Sequence, residues 1–265
     1  MRPVKTLLAL AVAAGFATAA QAAPVVYNGF TQNRTCSSGA GDDCATKFAP
    51  SGAALAARNA FYSSLALGVA TQDFESIAVG TTPPVTLNFG FAGTATVTGI
   101  GAVQAEDSNA TAFGRFATSG TRFYSTSVGG TQPLEIQLSQ QVAAFGFYGM
   151  DLGDIGGSVA LDLFDGSTLV SSITVQPSLG TGIFSELNGG MRFFGLTFAT
   201  NSFNRIRFNL TGNPNDEDVF AFDDMVVADA KQVVPPNPTP EPGSLALVGA
   251  ALALALAAAA RRRRS

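Results

Sequence analysis

The sequence predicts a mainly β protein: an antiparallel β-sandwich of jelly-roll type, with a short N-terminal helix and a C-terminal hydrophobic helix. Three observations carry this. Residues 73–229 run as short apolar stretches broken by Gly, Asn, Asp and Pro. Those stretches are rich in Val, Ile, Thr and Phe, and some alternate apolar with polar, the period of a half-buried strand. The zone holds about 155 residues and most of the Phe side chains, enough to fill one core.

Residues 1–22 read as a secretory signal peptide. Arg2 and Lys5 precede an apolar run over 6–20, and Ala20-Gln21-Ala22 fits a small-x-small cleavage site, so the cut falls after Ala22. An uncleaved N-terminal anchor is the alternative. Residues 23–72 form an N-terminal segment that opens as a loop-like leader. It contains the only two cysteines, Cys36 and Cys44, enclosing SSGAGDD. In an oxidising compartment these are expected to form a local disulfide worth roughly 2–3 kcal/mol. A reactive or metal-binding thiol pair is the competing reading; the spacing is not C-x-x-C and the chain has no His. Over 51–67 a short helix is expected, with Ser51 as its cap and Ala54, Ala57, Phe61 and Leu65 on one face. Gly68 is its expected stop.

The sandwich is assigned to 73–230. VTLNFGF, TATVTG, LEIQL, AAFGFYGM, SVALDLF, TLVSSITV, RFFGLTFA, FNRIRFNL and VFAFDDMVV each read as strands. Within RIRFNL, Ile206, Phe208 and Leu210 share a face opposite Arg205, Arg207 and Asn209. DGS after Phe164 is a hairpin signal, with Gly166 free to take positive φ. A proline-rich spacer follows over 231–239.

Residues 244–260 carry no charge and are mostly alanine and leucine. As a helix they would span about 25 Å, short of the roughly 30 Å hydrocarbon core. Arg261, Arg262, Arg263 and Arg264 follow and should stay cytoplasmic. Pro240-Glu241-Pro242, this apolar run and the Arg cluster together resemble the PEP-CTERM sorting signal of Gram-negative bacteria, over 240–265. The resemblance implies processing near Pro240-Glu241-Pro242 by an exosortase, after signal peptidase, the general secretion machinery and a transient stay in the inner membrane. It also implies delivery to the cell surface or extracellular matrix, in association with exopolysaccharide. An ordinary C-terminal membrane anchor is the alternative.

Charge and residue types narrow the function classes. Six of the fifteen basic residues lie in the two tails, and neither the signal nor the Arg cluster holds an acid. The stretch between them has nine basic and nineteen acidic residues, a balance that repels nucleic acid and suits divalent cations. Without His there is no Ser-His-Asp or Cys-His arrangement and no His-ligated zinc. STSVGG lacks the first Gly of a nucleophile elbow, and DLGDIGG does not match a phosphate-binding loop. No catalytic residue is singled out, and the chain reads as non-catalytic. A hydrolase working through two carboxylates is the weaker alternative.

One constellation stands out: TQDFES opens the sheet region and VFAFDDMVV closes it. Alternation puts Asp224 on the face of Phe220 and Phe222, where a bare carboxylate is costly and needs an arginine, backbone amides or a cation. An early Phe-Glu and a late Asp-Asp in a jelly roll resemble carbohydrate-binding modules and MAM-type domains. That resemblance implies neighbouring first and last strands, and a structural calcium held by Glu75 with Asp223 or Asp224, helped by Asp73. Carbohydrate binding is the alternative function, with Tyr124 and Tyr148 as candidate stacking platforms; core packing is the other reading of those two rings. No ligand-binding residue is fixed by the sequence.

Overall fold

The computed structural model describes residues 23–32, 47–66, 69–106, 114–128, 133–153, 156–177, 189–212 and 218–234. The signal peptide, Cys36, Cys44, Gly68, Pro240, Glu241, Pro242, the apolar run at 244–260 and the Arg cluster lie outside them. Among the described residues no helix is long and apolar enough to cross a membrane.

The chain runs β1 (Val25–Thr31), α1 (Gly52–Ser63), β2 (Thr71–Gln72), β3 (Val85–Asn88), β4 (Thr94–Thr98), β5 (Ala102–Ala105), β6 (Arg122–Ser127) and β7 (Leu134–Val142). It continues through β8 (Ala144–Met150), β9 (Ser158–Asp165), β10 (Thr168–Gln176), β11 (Met191–Thr197), β12 (Phe203–Thr211) and β13 (Val219–Ala228). Two antiparallel sheets form the sandwich. One has the order β1-β11-β8-β13-β6-β5 with β2 also on β13; the other has the order β10-β9-β12-β7-β4-β3. The opening and closing segments do meet, Gln72 opposite Met225 and Thr71 opposite Val226.

All nine expected strands are present. Phe145 and Phe147 of β8, Ile206 and Phe208 of β12, and Phe220 and Phe222 of β13 meet between the sheets. The alternation in β12 holds, with Leu210 packed at the edge of that core. The β9–β10 hairpin turns at Gly166, whose φ of 58° is the left-handed value glycine supplies freely.

Residues 25–31 are not a loop, as expected from the leader, but an edge strand paired with β11 along its length. Their Asn28-Gly29 step looks like a turn in sequence. In the fold Gly29 sits where a Cβ would lie 2.0 Å from the Ala53 carbonyl oxygen, so it is the gap through which α1 approaches the sheet. β5 and β6 are likewise strands beyond the expected nine.

The helix is shorter than expected and is capped differently. Ser51 occupies the cap position in extended conformation, but its side chain makes no capping bond. Thr31 Oγ1 accepts from the Ala54 N–H at 3.0 Å and donates to the Ser51 carbonyl at 2.8 Å. The cap is thus supplied from β1, by a residue twenty positions away. At the other end the helix stops at Ser63, and the Ser63 and Ser64 hydroxyls bond to the Asn59 and Phe61 carbonyls. Its apolar face is the expected one: Ala54 and Phe61 are fully buried. Phe61 sits over Gly146 and Gly195, directly opposed on β8 and β11, where a Cβ would come within 2.9 and 2.7 Å of its ring.

Leu65 lies beyond the helix, in a bridge with Val233. The Ala66 N–H donates to Gln232 O at 2.6 Å and the Val234 N–H to Ser64 O at 2.9 Å. Residues 231–234, read as spacer, therefore still belong to the folded domain, as do β1 and α1.

Candidate functional site

The closing strand breaks the alternation on which the sequence reading relied. Asp223 pairs with Tyr148 of β8 and Val226 with Gly146, so β13 holds two residues where β8 holds one. This is a β-bulge, and Asp224 adopts a φ of 47° within it. The extra residue reverses the phase. Phe220 and Phe222 face the inter-sheet core, and after the bulge Met225 and Val227 do so, while Val226 faces the other way. Asp224 is consequently not on the phenylalanine face. It is half-buried on the outer side, and its neighbour Asp223 is the fully buried acid.

Both acids hold the loop at 114–121. Asp223 Oδ2 accepts from the Thr118 N–H (2.7 Å), the Ser119 N–H (3.2 Å) and the Thr118 hydroxyl (2.9 Å), and Asp223 Oδ1 from the Asp224 N–H (2.7 Å). Asp224 accepts from the Ser119 hydroxyl at 2.6 Å and the Thr118 hydroxyl at 2.8 Å. Glu106 accepts from the Ala117 N–H at 2.7 Å and pairs with Lys47 at 2.8 Å. Glu75 Oε1 accepts from the Thr121 and Arg122 N–H groups at 2.7 and 2.6 Å. Gly120, with a φ of 60°, makes room: a Cβ there would lie 2.5 Å from the Glu75 carboxyl.

The expected calcium set is therefore not assembled. Among the described residues no group of three or more Asp, Glu, Cys or His side chains is placed to hold a metal ion. Glu75 is turned to the amides of 121–122 and Asp223 to those of 118, 119 and 224, while Asp73 accepts from the Glu75 N–H at 3.1 Å. Of the three compensations open to a buried acid here, the fold uses backbone amides.

The electrostatics of the two expected ligands diverge. Burial pushes the Glu75 carboxyl up, but the Thr121 and Arg122 amides and the Arg122 charge outweigh it, so it sits below its ordinary value. Burial first, and then the Asp224 charge, push Asp223 up to about 8, against the pull of its amide donors. The Thr118 hydroxyl lies within bonding distance of both aspartates yet carries one proton. A proton on Asp223, donated to Thr118 Oγ1, lets Thr118 donate to Asp224 and gives each gap one hydrogen.

Beside the bulge, on the outer face, lies an open depression of about 270 Å³. It is lined by Arg58 and Tyr62 of α1, by Thr71, Asp73, Ser119 and Asp224, and by Tyr148 and Phe193 of β8 and β11. The Arg58 guanidinium lies 4.6 Å from the Tyr62 ring centre, and the Tyr62 and Thr71 hydroxyls are 3.0 Å apart. Tyr148 packs edge-on against Phe193 with ring centres 5.1 Å apart. Its hydroxyl is buried with no hydrogen-bond partner among the described residues, an omission that typically costs about 1–3 kcal/mol. Burial drives that hydroxyl's pKa well above the ordinary tyrosine value, with the Arg58 charge opposing and the Asp224 charge adding.

Tyr124 and Tyr148, the candidate stacking platforms, are only 1% and 2% exposed, so neither ring offers a face to a sugar. Tyr124 is core, its hydroxyl donating to Ile100 O at 3.2 Å. Tyr148 alone reaches the depression. Arg58, Tyr62, Thr118 and Ser119 were not singled out by sequence. The one local signal is the i, i+4 spacing of Arg58 and Tyr62, off the apolar face of α1.

No protein-family model matches the chain, and no curated protein sequence does. Among solved structures, the K2 cleaved adhesin domain of Lys-gingipain is similar over 61% of this chain and 99% of its own, at 14% identity and a TM-score of 0.41. TmCBM61, solved in complex with beta-1,4-galactotriose, is similar over 60% of this chain and 94% of its own, at 18% identity and a TM-score of 0.29. The C-terminal family 22 carbohydrate binding module of Clostridium thermocellum Xyn10B is similar over 62% and 95%, at 14% identity and a TM-score of 0.33. These are general β-sandwich likenesses, and they transfer no residue or ligand to this chain.

Proposed function

We propose that this chain is an exported, non-catalytic surface or matrix protein, sorted through its C-terminal Pro-Glu-Pro signal and retained in extracellular polysaccharide. One observation carries the reading: Pro240-Glu241-Pro242, an uncharged run at 244–260 and Arg261 to Arg264 follow one another behind a signal-like N-terminus. A run that short and that rich in alanine pauses a chain in the bilayer but anchors it weakly. In this reading signal peptidase trims the first 22 residues, and an exosortase acts near Pro240-Glu241-Pro242 during passage through the inner membrane.

The non-catalytic reading draws support from the acids. The chain has no His, and the raised carboxyl of Asp223 is fully buried beneath four hydrogen-bond donors, out of reach of a substrate. Mass spectrometry of the protein recovered from the cell surface tests the delivery. The mature chain is expected to end near Pro242 and to lack 244–265; recovery of the tryptic peptide preceding Arg261 from the surface form overturns the reading. A second reading, specific carbohydrate binding by the sandwich, is favoured by the mixed polar depression between α1 and β13.

A further inference from the structure

We propose that this depression binds one neutral sugar unit, free or within a glycan, through Tyr148, Asp224 and Arg58. The inference rests on the carbohydrate reading and gives it a place. Three polar residues line one hollow, each with capacity left over, the Tyr148 hydroxyl being buried at its surface. The Tyr148 hydroxyl can donate and accept, and does neither among the described residues. Each Asp224 oxygen accepts one hydroxyl, from Thr118 or Ser119, and retains a lone pair. The Arg58 guanidinium lies over the Tyr62 ring, has a single long bond to Asn59 Oδ1 (3.4 Å), and makes no ion pair among the described residues.

These groups differ in sign and kind, which selects the ligand. An inorganic anion meets Asp73 and Asp224, and a simple cation meets Arg58. An apolar molecule would strip water from carboxylates with nothing in return. A sugar hydroxyl both donates and accepts, so neighbouring hydroxyls can give a hydrogen to Asp224 and take one from Arg58. A third can complete Tyr148. The volume, about 270 Å³, lies just under the roughly 300–1,000 Å³ of drug-sized pockets, which suits one such unit.

The test uses the exported mature protein, titrated with neutral mono- and oligosaccharides of glucose, galactose, mannose and xylose, and separately with free lysine and with calcium. Ligand-observed NMR and calorimetry supply the affinities. At least one neutral sugar is expected to bind. Tyr148→Phe and Arg58→Ala should each weaken that binding about tenfold, the effect of losing one well-made hydrogen bond. Tyr148→Phe should do so without lowering Tm, because it removes only a hydroxyl that has no partner. A sugar that binds equally well to both variants overturns this site while leaving the carbohydrate reading standing. Failure of every neutral sugar overturns both, and binding of lysine or calcium alone assigns the hollow to other chemistry and overturns the proposal. The processing of the tail is measured independently and is untouched by any of these results.

Discussion

The outer faces of the two sheets follow opposite rules. On the six-stranded sheet the ladder shifts register within β10 and beside Phe203 in β12, yet polar side chains pair with one another across neighbouring strands. Arg207 of β12 meets Glu135 of β7 at 2.6 Å, Asn209 meets Asp162 of β9 at 2.7 Å, and Arg205 lies 4.2 Å from the Phe164 ring centre. On the seven-stranded sheet the period-two pattern fails at the β13 bulge, non-glycine residues Phe74 and Asp224 take positive φ, and α1 covers the surface. A self-satisfied ladder leaves little for a ligand to recognise. Among the described residues, the irregular face holds a buried acid, a hydroxyl with no hydrogen-bond partner and a guanidinium with no ion pair within one neighbourhood.

The largest test of this contrast is to remove one acid from each face. Asp223→Ala strands the Thr118, Ser119 and Asp224 amides, and is expected to cost about 3 kcal/mol or more. Glu135→Ala removes partly exposed ion pairs to Arg205 and Arg207 and is expected to cost under about 1 kcal/mol. Urea denaturation of both variants measures the difference. Equal losses would mean that the two faces are energetically alike.

A smaller effect separates two acids on the irregular face. Burial and the Asp224 charge push Asp223 up to about 8 in the fold, against an ordinary value of 3.8, so between those limits the folded state holds the extra proton. Its contribution therefore makes stability fall as pH rises from about 4 to 8. Glu75 has the opposite sign: its lowered pKa adds stability above the ordinary value, lost as pH falls below about 4.5. Denaturation across pH 3 to 9 should show both trends, and Asp223→Asn should flatten only the neutral limb. A neutral limb unchanged by Asp223→Asn would remove the buried proton.

Most of the sandwich was legible in sequence because its strands carry their own evidence. RIRFNL alternates and DGS turns, and neither needs a distant partner to be read. β1 was hidden within a leader that reads as a loop, and nothing in the sequence shows that Gly29 is glycine to admit Ala53 of a helix formed later in the chain. The helix cap was hidden for the same reason, since Thr31 acts across space. At the site, the resemblance to jelly-roll domains drew attention to Glu75, Asp223 and Asp224, and strand alternation to the need for compensation. Neither could show the bulge, because one additional residue in a strand has no signature in a run such as VFAFDDMVV. The loop amides that hold these carboxylates have no side-chain code at all.

The finest test asks whether a cation also binds among these acids. A cation that binds only the folded state raises Tm in proportion to the logarithm of its concentration over Kd. Glu75, Asp223 and Asp73 each accept backbone N–H groups, and Asp224 accepts two hydroxyls, so a cation would have to displace donors already in place. Melting in millimolar calcium and in excess chelator is therefore expected to give the same Tm. A rise of several degrees in calcium, abolished by Asp224→Asn, would show these acids turning from the loop to a metal. The irregular face would then be a cation site closed by the 114–121 loop, and its contrast with the self-satisfied ladder would rest on charge and not on backbone geometry.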